Sequence, residues 1–380
     1  HWRHRPSADT PFFSVFNFTV THESGTFEAR SPAVTDPAAV TLPPYYPDTP
    51  IVRRDLARHY DNIVAMDAMV GGVLDELAED GLAESTVVFF FSDHGDGLPR
   101  MKRWVYDSGL HVPLLVRFPG GHGAGTTNDE PVSFVDFAPT VLSLAGVPVP
   151  EHMQGQPFLG AQRAAPRAYI FAARDRMDPA PETIRAVRDG RFKYIRNYRP
   201  DLPYFGFIPY RDQAGVMQEI LRLTAAGALG PDQWQLWSQT KPLEELYDTE
   251  ADPHEIRNLA SDPEHFDKLA ELRSAHLRWT EETGDLGHIT EAELIRRLWP
   301  PDGVQPTTAD PVITSVAEGP GRQVRITCAS PGASLVYRLT ETGRWHLYTG
   351  PVEAPPGTTL WSQAHRLGWK HSRVVSAQVH

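Results

Sequence analysis

The chain has 380 residues, a formal net charge of −12, and 41% hydrophobic against 22% charged residues. That composition is globular rather than disordered, and the length calls for two or three cores instead of one. No half of the chain is strongly basic, which argues against nucleic acid as a partner, and no apolar run approaches the ~20 residues of a membrane-spanning helix. Cys328 is the single cysteine, so no intrachain disulfide can form.

The chain begins at His1 rather than Met, directly ahead of a strand-like run, and reads as a truncated or processed end. That run, PFFSVFNFTVT at 11–21, is short and rich in Phe and Val, which predicts a buried strand. After a Pro-rich loop through 42–50, Leu56, Tyr60, Ile63, Val70, Leu74 and Leu77 recur at helical spacing. They predict one long amphipathic helix from about Arg53, capped by Gly81. TVVFFFS at 86–92 is apolar on both faces and VPLLVRF at 112–118 repeats the pattern. This strand–helix–strand order predicts a parallel sheet covered by helices. A helix over 135–145 stops at Gly146.

From about 165 the pattern changes to a smaller antiparallel sheet with helices. Segments 183–187 and 192–197 flank Asp189-Gly190, a strong hairpin signal, and a helix over 264–282 places Phe266, Leu269, Leu272 and Trp279 on one side. WPPDG at 299–303 begins a polar linker. Beyond it six short alternating segments, 312–317, 323–328, 334–339, 345–348, 359–365 and 374–379, predict a small β-sandwich.

Ser92-Asp93-His94-Gly95 leaves the C-terminal end of a strand, the edge at which open α/β sheets build their sites. An Asp freed there beside a glycine suits a hard cation such as Ca²⁺, although Asp, His and Gly are also ordinary turn residues. Lys102 follows within the basic cluster Arg100, Lys102 and Arg103, and His22 closes the run at 11–21. Singly, Lys102 reads as a solvated loop charge and His22 as a satisfied turn histidine. Together, an Asp, a His and a Lys at strand ends are what an anion held beside a metal ion requires. Arg174-Asp175-Arg176 follows another strand and offers two cations either to a sugar or to surface pairing.

The segments FNFTVTHE at 16–23, VVFFFSDHGDGLPRMKRWVYDSGLHVPLLVRFPGG at 87–121 and FVDFAPTVLSLAGVPVPEHMQGQPFL at 134–159 resemble the sulfatase family of the alkaline-phosphatase superfamily. RAVRDGRFKYIRNY at 185–198 and LEELYDTEADPHEIRNLASDP at 243–263 extend the resemblance, and 45–67 looks most like the branch containing heparan N-sulfatase and related bacterial enzymes. The resemblance implies an α/β fold: a partial alkaline-phosphatase-like sheet covered by helices at 1–165 and a smaller antiparallel α+β subdomain at 166–304. Residues 305–380 would be a C-terminal β-sandwich, similar to that of chitobiase-type glycan enzymes.

For function the resemblance implies hydrolysis of a sulfuric ester or N-sulfate on sulfated sugars, one Ca²⁺, and a formylglycine nucleophile made from a C/S-x-P/A-x-R motif. His22 would bind the sulfate and protonate the leaving atom, and Lys102 would pair with a sulfate oxygen. Asp93 would ligate Ca²⁺, with His94 as the neighbouring ligand or a sulfate contact. Arg174 and Arg176 would meet the sugar. The nucleophile motif is absent, as are the paired aspartates of the family's first strand, so the expectation is an inactive fragment lacking its nucleophile. Cys328, in TCASPGA, lacks the motif's arginine and reads as a small buried hydrophobe. Bacterial members of the family are often exported, which points to the periplasm or the exterior. Two rivals remain: a phosphoryl or phosphonate hydrolase of the same superfamily, and a non-enzymatic glycan-binding protein with a dead fold.

Overall fold

The computed structural model describes residues 1–28, 33–237, 240–299, 303–318 and 321–379. The centre of the expected linker, 300–302, lies outside the described residues. The chain divides into two compact units, His1–Asp285 and Leu286–His380.

The first unit is a mixed α/β body. Helix α1 (Pro50–Glu79) starts where Thr49 accepts the Val52 N–H and Pro50 occupies the first turn, and the chain leaves it through Gly81 at φ +70°. Its buried face carries Val52, Leu56, Ala57 and the polar Asp55, His59 and Asn62. Strand β1 (Val88–Phe91) is followed by the short helix α2 (Asp107–Leu110) and strand β2 (Leu114–Arg117). Helix α3 (Phe137–Leu144) ends before Gly146, which has φ +70°.

Two expectations are corrected here. β1 and β2 pair antiparallel, with Phe91 opposite Leu114, not parallel. A parallel partner needs a crossover to the far end of the strand, and the connection at 92–113 holds only the four residues of α2, so it returns to the edge it left. Residues 11–19 form neither helix nor strand, and Phe13 and Val15 are exposed. Their composition suits a strand, but a strand is stable only with a ladder to join, and the described pair β1–β2 does not reach them.

Strands β3 (Ile170–Arg174), β4 (Ile184–Arg188), β5 (Phe192–Asn197) and, after helices α4 (Gly215–Ala225) and α5 (Pro231–Leu236), β6 (Glu244–Asp248) form one antiparallel sheet in that order. The β4–β5 turn follows the predicted Asp189-Gly190, but it is held by the Asp189 carboxylate, which accepts from Arg191 N at 2.7 Å and Phe192 N at 2.6 Å. Alternation along the strands gives the sheet two apolar faces. Val187, Tyr194 and Leu246 pack on Leu269, Leu272 and Ala275 of helix α6 (Phe266–Thr283). Ile184, Ala186, Ile195 and Tyr247 pack instead on Trp104, Val105 and Tyr106. The excursion between β1 and β2 is thus pinned to the back of this sheet. Asp55 links α1 to α4 by accepting the Val216 N–H at 2.6 Å.

Among its described residues the second unit holds helix α7 (Glu291–Leu298), started by Thr290, and seven strands. These are β7 (Val312–Glu318), β8 (Gly321–Thr327), β9 (Ser334–Arg338), β10 (His346–Leu347), β11 (Val352–Glu353), β12 (Thr359–His365) and β13 (Val375–Gln378). They form two sheets, β10-β9-β12-β13 and β11-β8-β7, around a common core of Val324, Ile326, Ala354, Leu360 and Val379. That is a small sandwich, with β11 the strand its sequence pattern did not announce. Cys328 is half-buried, its thiol 3.2 Å from the Ala309 carbonyl.

Candidate functional site

The excursion at 92–113 is tied at its neck by Gly95 N–H donating to the Gly109 carbonyl at 2.9 Å, and a side chain at Gly95 would lie 1.9 Å from the Ser108 carbonyl oxygen. Only glycine permits that approach. Inside the loop Arg100 and Arg103 adopt φ +69° and +74°, a conformation that costs a non-glycine residue about 1–3 kcal/mol and needs its surroundings to hold it. The basic cluster therefore splits. Arg100 turns inward, buried between the Tyr45 and Tyr106 rings at 4.6 and 3.8 Å, and donates to the Glu255 carbonyl at 2.8 Å. Lys102 and Arg103 turn toward the turn at 22–26.

Glu23 organises that turn. Its side chain is 3% exposed and receives both Arg103 amines, at 2.6 and 2.7 Å, and the Lys102 ammonium at 3.2 Å. Burial pushes the Glu23 carboxyl up, but the Arg103 and Lys102 contacts outweigh it and hold it below the ordinary glutamate value. The same Lys102 Nζ lies 3.4 Å from His22 Nε2, while His22 Nδ1 is 2.9 Å from Ser24 Oγ. His22 Nδ1 also accepts the Ser24 N–H at 3.5 Å, capping the turn, so that Nε2 is the ring nitrogen turned to Lys102. The Tyr210 ring stands 5.8 Å from the His22 ring. Two residues far apart in sequence, His22 and Lys102, thus meet over one buried carboxylate that carries two cations.

Arg174, at the end of β3, is 7% exposed. Its guanidinium stacks 4.0 Å from the Trp104 ring, and its Nε and Nη1 have no hydrogen-bond partner among the described residues. Burial, reinforced by the nearby charges of Arg211 and Arg103, pushes its pKa down to about 10, against the pull of Glu182. Arg176 lies apart, exposed, with a 3.3 Å contact to the Pro179 carbonyl, and the intervening Asp175 pairs with Arg185.

Asp93 and His94 form their own pair at the loop's start. The Asp93 side chain is 85% exposed and its carboxylate is 3.7 Å from His94 Nε2; His94 Nδ1 is 2.6 Å from the Gly95 carbonyl. No hydrogen bond or ion pair joins them to His22 or Lys102 among the described residues, and no group of three or more His, Cys, Asp or Glu side chains able to hold a metal occurs there. Ca²⁺ takes about 6–8 oxygen ligands, so this pair suits a corner of a cation site and not a complete one.

Glu23, Tyr210 and Arg211 were not anticipated as site residues, and Arg103 was named only as part of the basic cluster. Glu23 directly follows His22 and Arg103 directly follows Lys102, which was the available signal. Nothing near Tyr210 or Arg211 in the sequence marks either.

The sulfatase family profile matches residues 4–147, and that of the N-sulphoglucosamine sulphohydrolase C-terminal domain matches residues 100–205. An ulvan-active sulfatase of Formosa agariphila is 44% identical over 416 aligned positions, covering 99% of this chain and 69% of that protein. Human N-sulphoglucosamine sulphohydrolase is 32% identical over 67% of this chain and 53% of its own length. A solved complex with D-glucosamine-2-N,6-O-disulfate aligns with a TM-score of 0.47 and 22% identity, covering 63% of this chain and 43% of that one. The chain thus spans about two thirds of the first relative and about half of the second. At that identity and coverage of the first relative, the chain belongs to the sulfatase family.

Proposed function

We propose that this chain supplies the sulfate-binding and leaving-group side of a hydrolase acting on sulfuric esters or N-sulfates of sulfated sugars. The observation that carries the proposal is the approach of Lys102 Nζ to His22 Nε2, 3.4 Å, above the buried Glu23–Arg103 pair. A sulfate seated beside both nitrogens would receive the Lys102 charge on one oxygen. His22, held by Ser24, would stand ready to pass a proton to the departing oxygen or nitrogen. Because Glu23 is shared with Arg103, the local field stays positive although the whole chain is at −12. Such preorganised charge is the largest single source of rate in group transfer. In this reading Arg174 contacts the sugar, as does Arg176 more peripherally. Asp93 and His94 contribute two donors to a Ca²⁺ site that the described residues do not complete, and no step is assigned to that ion. The family's formylglycine would supply the nucleophile. Residues 1–165 and 166–304 would then be subdomains of the hydrolase and 305–380 a separate sandwich.

The relatives' descriptions, one acting on ulvan and one on N-sulphoglucosamine, support a sulfated saccharide as substrate. The test is turnover of an aryl sulfate and of N-sulfoglucosamine by the full product of the encoding gene. His22→Ala and Lys102→Ala should each lower turnover by roughly 10²–10³, with a smaller change in KM. Near-normal turnover in both variants removes them from the site.

A further inference from the structure

The residues around His22 and Lys102 carry more positive charge than one sulfate uses. Tyr210 faces His22, and its neighbour Arg211 is 7% exposed, with its guanidinium 5.2 Å from the Phe205 ring. Phe205 lies 5.2 Å from the Trp104 ring, and Trp104 carries the Arg174 guanidinium at 4.0 Å. Trp104 directly follows Arg103 in the chain, and Arg103 holds Glu23. These segments bring together four cations, Lys102, Arg103, Arg174 and Arg211, and the charges of Arg103 and Arg211 are felt at Arg174. Among the described residues, only two carboxylates contact them, Glu23 on the first two and Asp212 on Arg211. Glu182, the acid that attracts Arg174, is itself paired with Lys241 at 2.8 Å.

Arg174 is the anomaly. It makes no ion pair among the described residues, and two of its nitrogens are buried without an acceptor. Leaving a buried charged donor unsatisfied costs more than an ordinary hydrogen bond returns, so such a group calls for a partner. Its electrostatic neighbours Arg103 and Arg211 make the deficit worse. An aromatic floor such as Trp104 holds a guanidinium flat, leaving its edge for a planar or tetrahedral oxyanion. Arg211 is better served, since it donates to Asp212 Oδ1 at 2.7 Å and to the Gly206 carbonyl at 2.8 Å.

We propose that Arg174, supported by Arg211, forms a second anion subsite beside the His22–Lys102 position, selecting saccharides that carry a further carboxylate or sulfate besides the group hydrolysed. This rests on the reading of His22 and Lys102 given above. It makes the enzyme a reader of doubly anionic sugars, with the second charge bound and not cleaved.

The test is titration calorimetry on the 380-residue chain with three probes: glucosamine 6-sulfate, D-glucosamine-2-N,6-O-disulfate, and a glucuronic acid glycoside carrying one sulfate. Either doubly anionic probe should bind at least roughly tenfold tighter than the monosulfate, the scale of one charge-assisted contact. Arg174→Gln should erase that preference, weakening either doubly anionic probe far more than the monosulfate, and Arg174→Lys should restore part of it. Melting curves of both variants identify any that fail to fold, and Arg211→Gln, in a different element, then serves as the second test and should weaken the preference. Which doubly anionic probe wins tells carboxylate from sulfate. If all three probes bind alike, with His22→Ala and Lys102→Ala weakening each, the second subsite is wrong and the sulfate position stands. If the preference persists in those two variants with monosulfate affinity unaffected, the subsite stands and the sulfate position is wrong. No binding by any probe overturns both.

Discussion

Glu23 shows how a residue with no proposed chemical role can hold a candidate site together. Buried at 3% exposure, it holds Arg103 in a left-handed backbone conformation and keeps Lys102 within reach of His22. Its folded-state carboxyl lies below the ordinary glutamate value of 4.5, so its ionised form is stabilised by folding. That contribution is complete above the unfolded pKa, near pH 4.5, and is lost as pH falls through the lower folded value. Glu23→Gln keeps an acceptor but loses the charge. It should cost on the order of 1–3 kcal/mol at neutral pH, and the difference from the wild type should shrink in acid below about pH 4. Urea unfolding of both proteins from pH 3 to 7 measures this; a constant difference across the range shows that the charge is irrelevant. His22 and Lys102 could be singled out because a histidine after a Val- and Phe-rich run, and a lysine after Asp-His-Gly, each stand at a recognisable place in the pattern; the fold brings them within 3.4 Å, and their role is the proposal made above. The burial of Glu23 was not legible, since a Glu reads as solvated wherever its partners lie in another part of the chain. Arg100 failed the opposite way: a third basic residue in a short run looked like part of the anion site, yet two tyrosines enclose it.

At the scale of elements, the site depends on a loop made rigid by its base and by the sheet it lies against. The contact from Gly95 to Gly109 closes the excursion, while Trp104 and Tyr106 anchor it on β4, β5 and β6. Gly95→Ala would place a methyl 1.9 Å from the Ser108 carbonyl, a clash with backbone that only movement of the loop can relieve. The expected result is a folded protein whose sulfate binding falls at least roughly tenfold, because a shift near 1 Å suffices to undo preorganised charge. Calorimetric titration with glucosamine 6-sulfate, beside a far-ultraviolet spectrum, checks it; unchanged affinity means that the loop neck does not position Lys102. A second element is a control. Leu272 on α6 is fully buried against the opposite face of the same sheet, and Leu272→Ala should cost about 2–5 kcal/mol while leaving affinity in the folded protein intact. Helices α1, α3 and α6 were legible from their periodicity and caps. Strand pairing was not, because the apolar runs at 11–21 and 86–92 look alike while only the second meets a partner. Direction was misread for a related reason. Nothing in 92–113 spells a crossover, but the strand–helix–strand order and a run apolar on both faces suggested a parallel sheet.

The molecule as a whole is two units, each with a core of its own. In the first, the sheet β3–β6 shares side chains with the loop at 104–106, so the predicted α/β part and the predicted antiparallel part contribute to common clusters. In the second, Val324, Ile326 and Leu360 come from strands of both sheets, and β12 alternates buried and half-buried positions along its length. That alternation is local, with short turns between strands, which is why six of the seven strands could be read from the sequence. β11 is only two residues long and carries no period to detect. A unit that closes its own core should unfold by itself. We therefore expect the 380-residue chain to show two calorimetric transitions, and residues 286–380 alone to fold and reproduce one of them. Leu360 is the discriminating position, being fully buried in the sandwich core. Leu360→Ala should destabilise the second unit by about 2–5 kcal/mol, a drop of at least 8 °C for a domain of this size at about 4–8 °C per kcal/mol. The other transition, and the affinity for glucosamine 6-sulfate, should stay where they were. A single transition that moves as one with Leu360→Ala would mean that the sandwich and the sulfatase unit unfold as one cooperative body.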